Sequence, residues 1–258
     1  MTSPIIRFAD WIDPVPPFER EVVERQPEQA EKKPPLLFVP GLGHGAWVYA
    51  THWLGHAAGR GFPAYAVTPR PGGDLRAQVH DVVQTAASLP RQAVLVGHGA
   101  GALVVAYALG RYPAKAAVLA APVLDGWTTL WSALRANPVG TLPALFGGRL
   151  ALSRRQLFGR LPVEQADEYL ERIDRVRPRR ELVTHPPAPR PVGEPPVLVA
   201  GSPDDRVVPR ASLDRTAARY GGAPLLFPGM GHDLMLDEGW AEPIEAILDW
   251  LDKSAAAG

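Results

Sequence analysis

Cysteine is entirely absent from this chain of 258 residues, which excludes disulfide bonds, thiolate nucleophiles and thiolate metal ligands. An excess of charge is absent too, because 27 lysines and arginines balance 27 aspartates and glutamates. A chain without net charge has no long-range attraction for nucleic acid or for an anionic membrane. Long uncharged runs are also missing, and none approaches the length that spans a bilayer. These absences argue against a nucleic-acid-binding, disulfide-stabilised or membrane-spanning protein.

The N-terminal segment Met1–Phe18 carries Arg7, Asp10 and Asp13, so it does not have the apolar core of a signal peptide. We therefore expect a cytoplasmic protein. Its hydrophobic content of 46% and its charged content of 21% are ordinary for a globular chain. A chain of this length can bury a sizeable core without disulfides or metal. We expect one domain that covers residues 1–258.

Short apolar runs predict buried parallel strands, which are covered on both faces. These runs are Leu36–Val39, Ala64–Val67, Ala93–Val96, Ala116–Leu119, Val197–Ala200 and Leu225–Phe227. The segments between them favour helices, most clearly Asp74–Ser88, Ala100–Gly110, Ser212–Tyr220 and Glu242–Leu251. This alternation predicts an α/β fold with a doubly wound, mostly parallel sheet. Arg20–Arg25 is predicted to add an antiparallel edge strand.

One long segment, residues 127–192, interrupts the alternation of strands and helices. It contains the amphipathic stretch Val163–Val176 and then enters the proline-rich stretch His185–Pro196. Because ligands of open α/β sheets bind at the carboxyl ends of the strands, we predict that this segment is a helical lid over those ends. Its large apolar residues either line an acyl pocket or form the lid's own core; they are Trp127, Trp131, Leu134, Leu142, Leu145 and Phe146.

A glycine-rich turn, Gly97-His98-Gly99-Ala100-Gly101, joins a predicted strand to a predicted helix. A nucleophile elbow has this context and the pattern G-x-S-x-G, in which small flanking residues let the strand and the helix approach closely. The outer glycines are in place, but Gly99 stands where the serine is expected.

Two phosphate-binding patterns fit the same turn poorly. Gly97, Gly99 and Ala102 match the loose dinucleotide pattern G-x-G-x-x-G/A, but the acidic residue that should end the next strand is replaced by Leu119–Pro122. A P-loop would need a lysine and a serine or threonine after the glycines. No cofactor is therefore expected.

The loops that follow other predicted strands occur in an informative order. The first strand ends in the glycine-rich stretch Gly41–Trp47, which is suited to present backbone N–H groups to a reacting carbonyl. A later strand ends in Ser202–Pro209, and His232 lies in the glycine-flanked loop Phe227–Asp233. Elbow, acid and histidine is the chain order of the α/β-hydrolase triad.

The chain from Pro35 to Leu251 resembles an α/β-hydrolase of the small bacterial esterase and lysophospholipase-like kind. The most specific parts of this resemblance are Gly231–Asp237 (GHDLMLD) and Asp205–Pro209 (DRVVP). The resemblance implies a small hydrophobic ester or a related acyl compound as the substrate. Substrate contacts are expected from Trp127, Trp131 and Met235.

The resemblance also assigns catalytic roles. His232 is expected to be the general base and Asp205 its orienting partner, with Asp204 and Asp125 as alternative acids. Asp205 is favoured because the DRVVP string begins there. The expected oxyanion-hole donors are the backbone N–H groups of Leu42 and Ala100.

Histidines outside this set have other interpretations. His98, directly before the missing nucleophile, is interpreted as a packing residue because relatives commonly have histidine there. The others match no zinc-binding spacing; they are His44, His52, His56, His80 and His185. No metal site is expected.

Glycine at position 99 closes the covalent route, because it has no side chain to form an acyl-enzyme. Four hypotheses remain open. Gly99 is an engineered replacement, or His232 activates water directly, or the His232–Asp205 pair serves a lyase, isomerase or cyclase reaction that needs only proton transfer, or the protein binds a small ligand without turnover.

Overall fold

The computed structural model describes residues 13–29 and 32–256; Arg7 and Asp10, used above against a signal peptide, lie outside this part. Its sheet has seven strands in the order β1-β3-β2-β4-β5-β6-β7. The strands are β1 Glu21–Arg25, β2 Leu36–Val39, β3 Ala64–Thr68, β4 Val94–His98, β5 Ala116–Ala120, β6 Val197–Gly201 and β7 Leu225–Leu226. β1 pairs antiparallel with β3, and the other pairs are parallel.

Helices cover both faces of the sheet. They are α1 Trp47–Ala50, α2 Trp53–Gly59, α3 Leu75–Ser88, α4 Ala100–Ala108, α5 Gly126–Ala136, α6 Pro138–Leu145, α7 Arg154–Leu157, α8 Val163–Arg172, α9 Arg210–Arg219 and α10 Ala241–Ala256, with a 3₁₀ turn at Arg180–Leu182. Side chains of β2 alternate between two hydrophobic layers, with Leu36 and Phe38 in one and Leu37 and Val39 in the other. This alternation, which follows from the pleat of a strand, explains the continuous apolar runs in the sequence.

The predicted fold class is confirmed, since the sheet is doubly wound and mostly parallel. Arg20–Arg25 does contain the antiparallel edge strand, β1. Helices α1 and α2 were not predicted from the sequence. They span only 4 and 7 residues, too few to display a helical period of hydrophobic residues.

The segment between β5 and β6 carries α5–α8 and, as the structure describes it, no strand. Asp125 and Asn137 cap the N-termini of α5 and α6 with their side chains, a role that their short polar groups favour. The predicted amphipathic stretch Val163–Val176 contains α8. No helix among the described residues is long and apolar enough to cross a membrane.

The turn between β4 and α4 brings backbone atoms of the helix close to those of the neighbouring strand ends. A β-carbon at Gly101 would lie 2.3 Å from the carbonyl oxygen of Pro40, at the end of β2, and one at Gly97 would lie 2.6 Å from the Cα atom of Ala102. Backbone atoms form these contacts, so no side-chain adjustment relieves them. Glycine at both positions is therefore a steric requirement of the turn.

Gly101→Ala is expected to lower the free energy of unfolding by about 1–3 kcal/mol, the usual cost of overpacking a buried position. Gly55→Ala is the control, because a β-carbon at this exposed position in α2 meets nothing within 4 Å and alanine favours the helix by up to about 1 kcal/mol. Denaturant unfolding of both variants measures the difference. A Gly101→Ala variant as stable as the wild type would contradict the close approach.

Candidate active site

Gly99 lies at the apex of the turn between β4 and α4. Its φ of 54° and ψ of −119° place it in the left-handed region, which L-residues with a side chain rarely adopt. The Gly99 N–H donates to the carbonyl of Ala120 in β5, and its own carbonyl accepts from the N–H groups of Ala102 and Val123. These bonds fix the backbone of the turn at Gly99, which has no side chain to act as a nucleophile.

His232 faces this apex from the loop between β7 and α10. Its Nε2 lies 3.1 Å from the position that a β-carbon at Gly99 would occupy, and the ring has no hydrogen bond from Nε2 to a protein group in the described part of the chain. The loop is held by the buried carboxylate of Asp237, which accepts the N–H groups of Gly231, Gly159 and Arg160. The aspartate that ends the GHDLMLD string therefore positions the histidine near its start.

Asp205 orients His232. Its Oδ2 lies 2.8 Å from Nδ1 of His232, and its Oδ1 accepts the N–H groups of Val207 and Val208. The carboxylate is thereby fixed by its own local turn, which explains why the acid stands at the start of the DRVVP string. Because Nδ1 donates to Asp205, Nε2 of the neutral ring is the acceptor nitrogen.

The two alternative acids are engaged elsewhere. Asp204 accepts the Gly229 N–H through Oδ2, 2.6 Å away. Asp125 caps α5 and pairs with Arg215. The structure therefore brings Asp205, and neither alternative, to His232.

The charge state of His232 is set by opposing effects. Burial alone would lower its pKa, but the charge of Asp205, the hydrogen bond to Asp205 and the charge of Asp233 outweigh burial and raise the pKa above its usual value. The ring of His98 lies 4.7 Å from that of His232, measured between centroids. His98 has little effect on the charge of His232, because His98 is itself neutral at physiological pH.

His98 stabilises the backbone of the loop that carries His232. Its Nε2 donates to the carbonyl of His232 over 3.0 Å, and burial together with nearby His232 lowers its pKa to about 3. A neutral histidine that anchors the loop of the base agrees with the packing role predicted for this position.

Leu42 and Ala100, the expected oxyanion-hole donors, lie at the edges of two adjoining cavities. Ala100 is the first residue of α4, so its N–H has no partner one helical turn earlier. Leu42 lies between Gly41 and Gly43 in the loop after β2, where Gly43 has a φ of 80°. Neither N–H group donates a hydrogen bond within the described part of the chain, and the N-terminus of α4 adds a partial positive charge.

Two cavities meet at this oxyanion loop. The apolar cavity, of about 100 Å³, contains His232 and is lined by residues such as Val123, Leu130, Ala133, Leu152 and Val207. The wider cavity, of about 330 Å³, is called the polar cavity here because charged side chains are among its lining residues; they include Arg70, Arg172, Arg177, Glu21 and Glu181. Gly41, Leu42, His44 and Ala100 belong to both.

The model of the alpha/beta hydrolase family matches residues 36–249. This match covers β2–β7, the turn at Gly99, Asp205 and His232. The chain belongs to the alpha/beta hydrolase family. A comparison with curated protein sequences finds no match.

Solved structures of esterases and lipases share the fold of this α/β-hydrolase. A monoacylglycerol lipase from Paleococcus ferrophilus aligns with a TM-score of 0.65 and 17% identity, over 92% of this chain and 100% of that one. An esterase from Exiguobacterium antarcticum aligns with a TM-score of 0.62 and 12% identity, over 90% of this chain and 95% of that one. A candidate aryl esterase from Burkholderia cenocepacia aligns with a TM-score of 0.70 and 17% identity, over 92% of this chain and 95% of that one. At these identities the likeness establishes the fold alone.

The predicted substrate contacts of this α/β-hydrolase are placed differently by the structure. Trp127 and Trp131 are 55% and 58% exposed and lie on the outer face of α5; Gly126, Leu130 and others of the same helix line the apolar cavity instead. Met235 is fully buried in the hydrophobic core. The helical period turns the tryptophans outward, a consequence that depends on which face of α5 lines the apolar cavity.

Two site residues were missed by sequence reasoning, namely His44 and Asp233. Nε2 of His44 lies 2.9 Å from Oδ2 of Asp233, and both side chains are buried. Asp233 directly follows His232, the predicted general base, and His44 lies in the predicted oxyanion loop. These two positions were the sequence signals that could have identified the residues. The pairing itself was not visible, because the partners are separated by 189 residues.

One cluster has atoms at metal-ligating distances. His98, His232 and Asp233 bring one potential ligand atom each within 4.8 Å of one another. Hydrogen bonds already occupy His98 Nε2 and His232 Nδ1. We therefore keep the prediction that this α/β-hydrolase works without a metal, and a chelator control accompanies the activity assays below.

Asp205→Asn is expected to lower the pKa of His232, because burial then acts against a smaller opposing charge. NMR titration of the His232 ring measures the pKa, which should lie above about 6.5, the value of an unperturbed histidine, in the wild type and below it in the variant. Asp204→Asn is the matched control and should leave the pKa unchanged. An unaltered His232 titration in Asp205→Asn would contradict the pairing.

Proposed function

We propose that this protein hydrolyses small carboxylic esters by direct activation of water at His232. The observation that carries the proposal is the oriented pair of Asp205 and His232, whose Nε2 faces the elbow where Gly99 offers no nucleophile. The esterases and lipases that share the fold support an ester as the substrate class. The predicted lid, residues 127–192, is proposed to enclose the acyl group, with α5 as its inner wall.

The proposed reaction uses one base twice. His232 Nε2 removes a proton from water, and the water oxygen attacks the ester carbonyl carbon. The carbonyl oxygen becomes an oxyanion, which the N–H groups of Leu42 and Ala100 stabilise. The tetrahedral species then collapses, and the C–O bond to the alcohol breaks. The proton held by His232 passes to the leaving oxygen, which yields a carboxylic acid and an alcohol.

The two cavities suggest how an ester divides between them. An engineered apolar cavity of about 150 Å³ is known to hold benzene, so the apolar cavity of about 100 Å³ suits a shorter group such as a propionyl or butyryl chain. The polar cavity of about 330 Å³ suits a larger, hydrated alcohol part. We therefore propose short-chain acyl esters as the preferred substrates.

Hydrolysis of p-nitrophenyl acetate, butyrate and octanoate tests the proposal. The wild type is expected to cleave butyrate faster than octanoate, since the longer chain exceeds the apolar cavity. His232→Ala should lower the rate by about 10²–10⁴-fold, the usual contribution of a general base. The rates should not change with a chelator. A wild-type rate that His232→Ala leaves unchanged would exclude this function and favour a binding protein.

Gly99→Ser is expected to add a covalent route and raise the rate at least about 10²-fold, part of the roughly 10⁶-fold that a serine nucleophile contributes in subtilisin. A β-carbon there lies 3.1 Å from His232 Nε2, so the ring must withdraw by a few tenths of an ångström. Gly99→Ala carries the same backbone strain without a hydroxyl and is the control. Mass spectrometry should detect an acyl adduct only in the serine variant; a folded serine variant that never acylates would contradict the elbow assignment.

The rate should increase with pH through the raised pKa of His232, because only the neutral ring accepts a proton. Asp205→Asn should move this rise to lower pH, since it lowers the pKa, and should also reduce the maximal rate. A profile of kcat/KM against pH for both proteins measures the shift. A rise at the same pH in both would mean that another group limits the reaction.

A further inference from the structure

His44 stands between two hydrogen-bond acceptors. Its Nδ1 lies 3.0 Å from the carbonyl oxygen of Leu42, and its Nε2 lies 2.9 Å from Oδ2 of Asp233. A carbonyl oxygen and an ionised carboxylate oxygen can only accept. Both ring nitrogens must therefore carry hydrogen, which makes the ring an imidazolium.

A neutral His44 would require a proton on Asp233, and the surroundings of that carboxylate oppose it. Its second oxygen, Oδ1, lies 3.6 Å from Nε2 of His98, a nitrogen that carries hydrogen. Burial alone would raise the pKa of Asp233, but His44 outweighs it, so the pKa is lowered. Burial alone would likewise lower the pKa of His44, and the charge of Asp233 reverses this effect.

The positive end of this ion pair faces the cavities. His44 lines both the apolar and the polar cavity, whereas Asp233 lines neither and is fully buried behind it. The pair therefore presents a dipole whose cation points toward the oxyanion loop. The other titratable groups around it are His98, which is neutral, His232 with its partner Asp205, and Tyr49, whose pKa is raised well above its usual value by burial and by the charge of Asp233.

We propose that His44 is a fixed imidazolium that makes the site bind anionic oxygens, both a carboxylate ligand and the oxyanion of the proposed reaction. The first part stands on the hydrogen-bond geometry alone, and the second rests on the proposed function. His44 also holds the Leu42 carbonyl, so the same ring positions an oxyanion-loop residue and supplies charge beside it. Short-chain carboxylates, the products of the proposed hydrolysis, are the predicted ligands.

The charge state can be measured without any activity. In ¹⁵N-detected NMR of the wild-type protein at pH 8, both ring nitrogens of His44 should show the shifts of protonated nitrogen, while His98 should show one protonated and one bare nitrogen. Asp233→Asn should convert His44 to a neutral ring. His44 signals of a neutral ring in the wild type would overturn the proposal.

Ligand binding tests the consequence. Sodium butyrate and butyramide have the same shape and differ in charge, and NMR shifts of His232 report the binding of each at pH 8. The His44→Gln/Asp233→Asn double variant replaces the ion pair by a neutral amide pair of similar shape. The wild type should bind butyrate more tightly than butyramide. In the double variant the ratio of these two affinities should fall at least about ten-fold. An unchanged preference would reduce His44 to a packing role.

Kinetics complete the test. With p-nitrophenyl butyrate, the double variant should lower kcat by about 10²–10³-fold, as the loss of an oxyanion-stabilising group does elsewhere, with little change in KM. Asp233→Asn alone, which keeps the ring, should show the same direction and covers the case in which the double variant does not fold. His52→Gln, a histidine stacked on Trp240 away from the site, is the control.

The outcomes separate the two proposals. If the wild type cleaves no ester but prefers butyrate in a His44-dependent manner, the proposed function fails and the anion site stands. If the wild type cleaves esters and the preference for butyrate is absent, the fixed imidazolium is refuted while the hydrolase remains.

Discussion

The close approach of α4 to the ends of β2 and β4 is the constraint on which the whole site depends. Gly97 and Gly101 permit it, since a β-carbon at either would overlap backbone atoms. Between them Gly99 adopts a positive φ. A β-carbon at Gly99 would lie 3.1 Å from Nε2 of His232 and 3.8 Å from Cα of Gly41, so the apex, the loop after β2 and the histidine loop meet at this turn.

The site is buried and holds several titratable side chains, which form acid–histidine pairs. Burial disfavours every charged group there, yet the site gathers His44, His232, Asp205 and Asp233. Each acid pairs with one histidine, so desolvation is offset by an ion pair or by a charge-assisted hydrogen bond. In the proposed roles His232 is a base and His44 is a cation, two tasks that a single histidine could not perform at one pH.

The sequence predicted most of the scaffold and part of the site. Apolar runs located the strands because buried parallel strands carry side chains in two covered layers. The strings that contain Asp205 and His232 were informative because their function is local: Asp205 is held by the N–H groups of Val207 and Val208, and His232 by a carboxylate five residues later. The outward position of Trp127 and Trp131 was not predictable, since the period of α5 does not say which face lines the cavity.

The sequence by itself determined the fold class, the glycines of the turn between β4 and α4 and the absence of a side chain at position 99, because backbone sterics and residue type are local properties. Only the tertiary structure decided that Asp205 rather than Asp204 or Asp125 meets His232, and that His44 meets Asp233. Such pairs join residues 27 and 189 positions apart, and their charge states follow from burial and distance. Neither quantity is encoded in spacing along the chain.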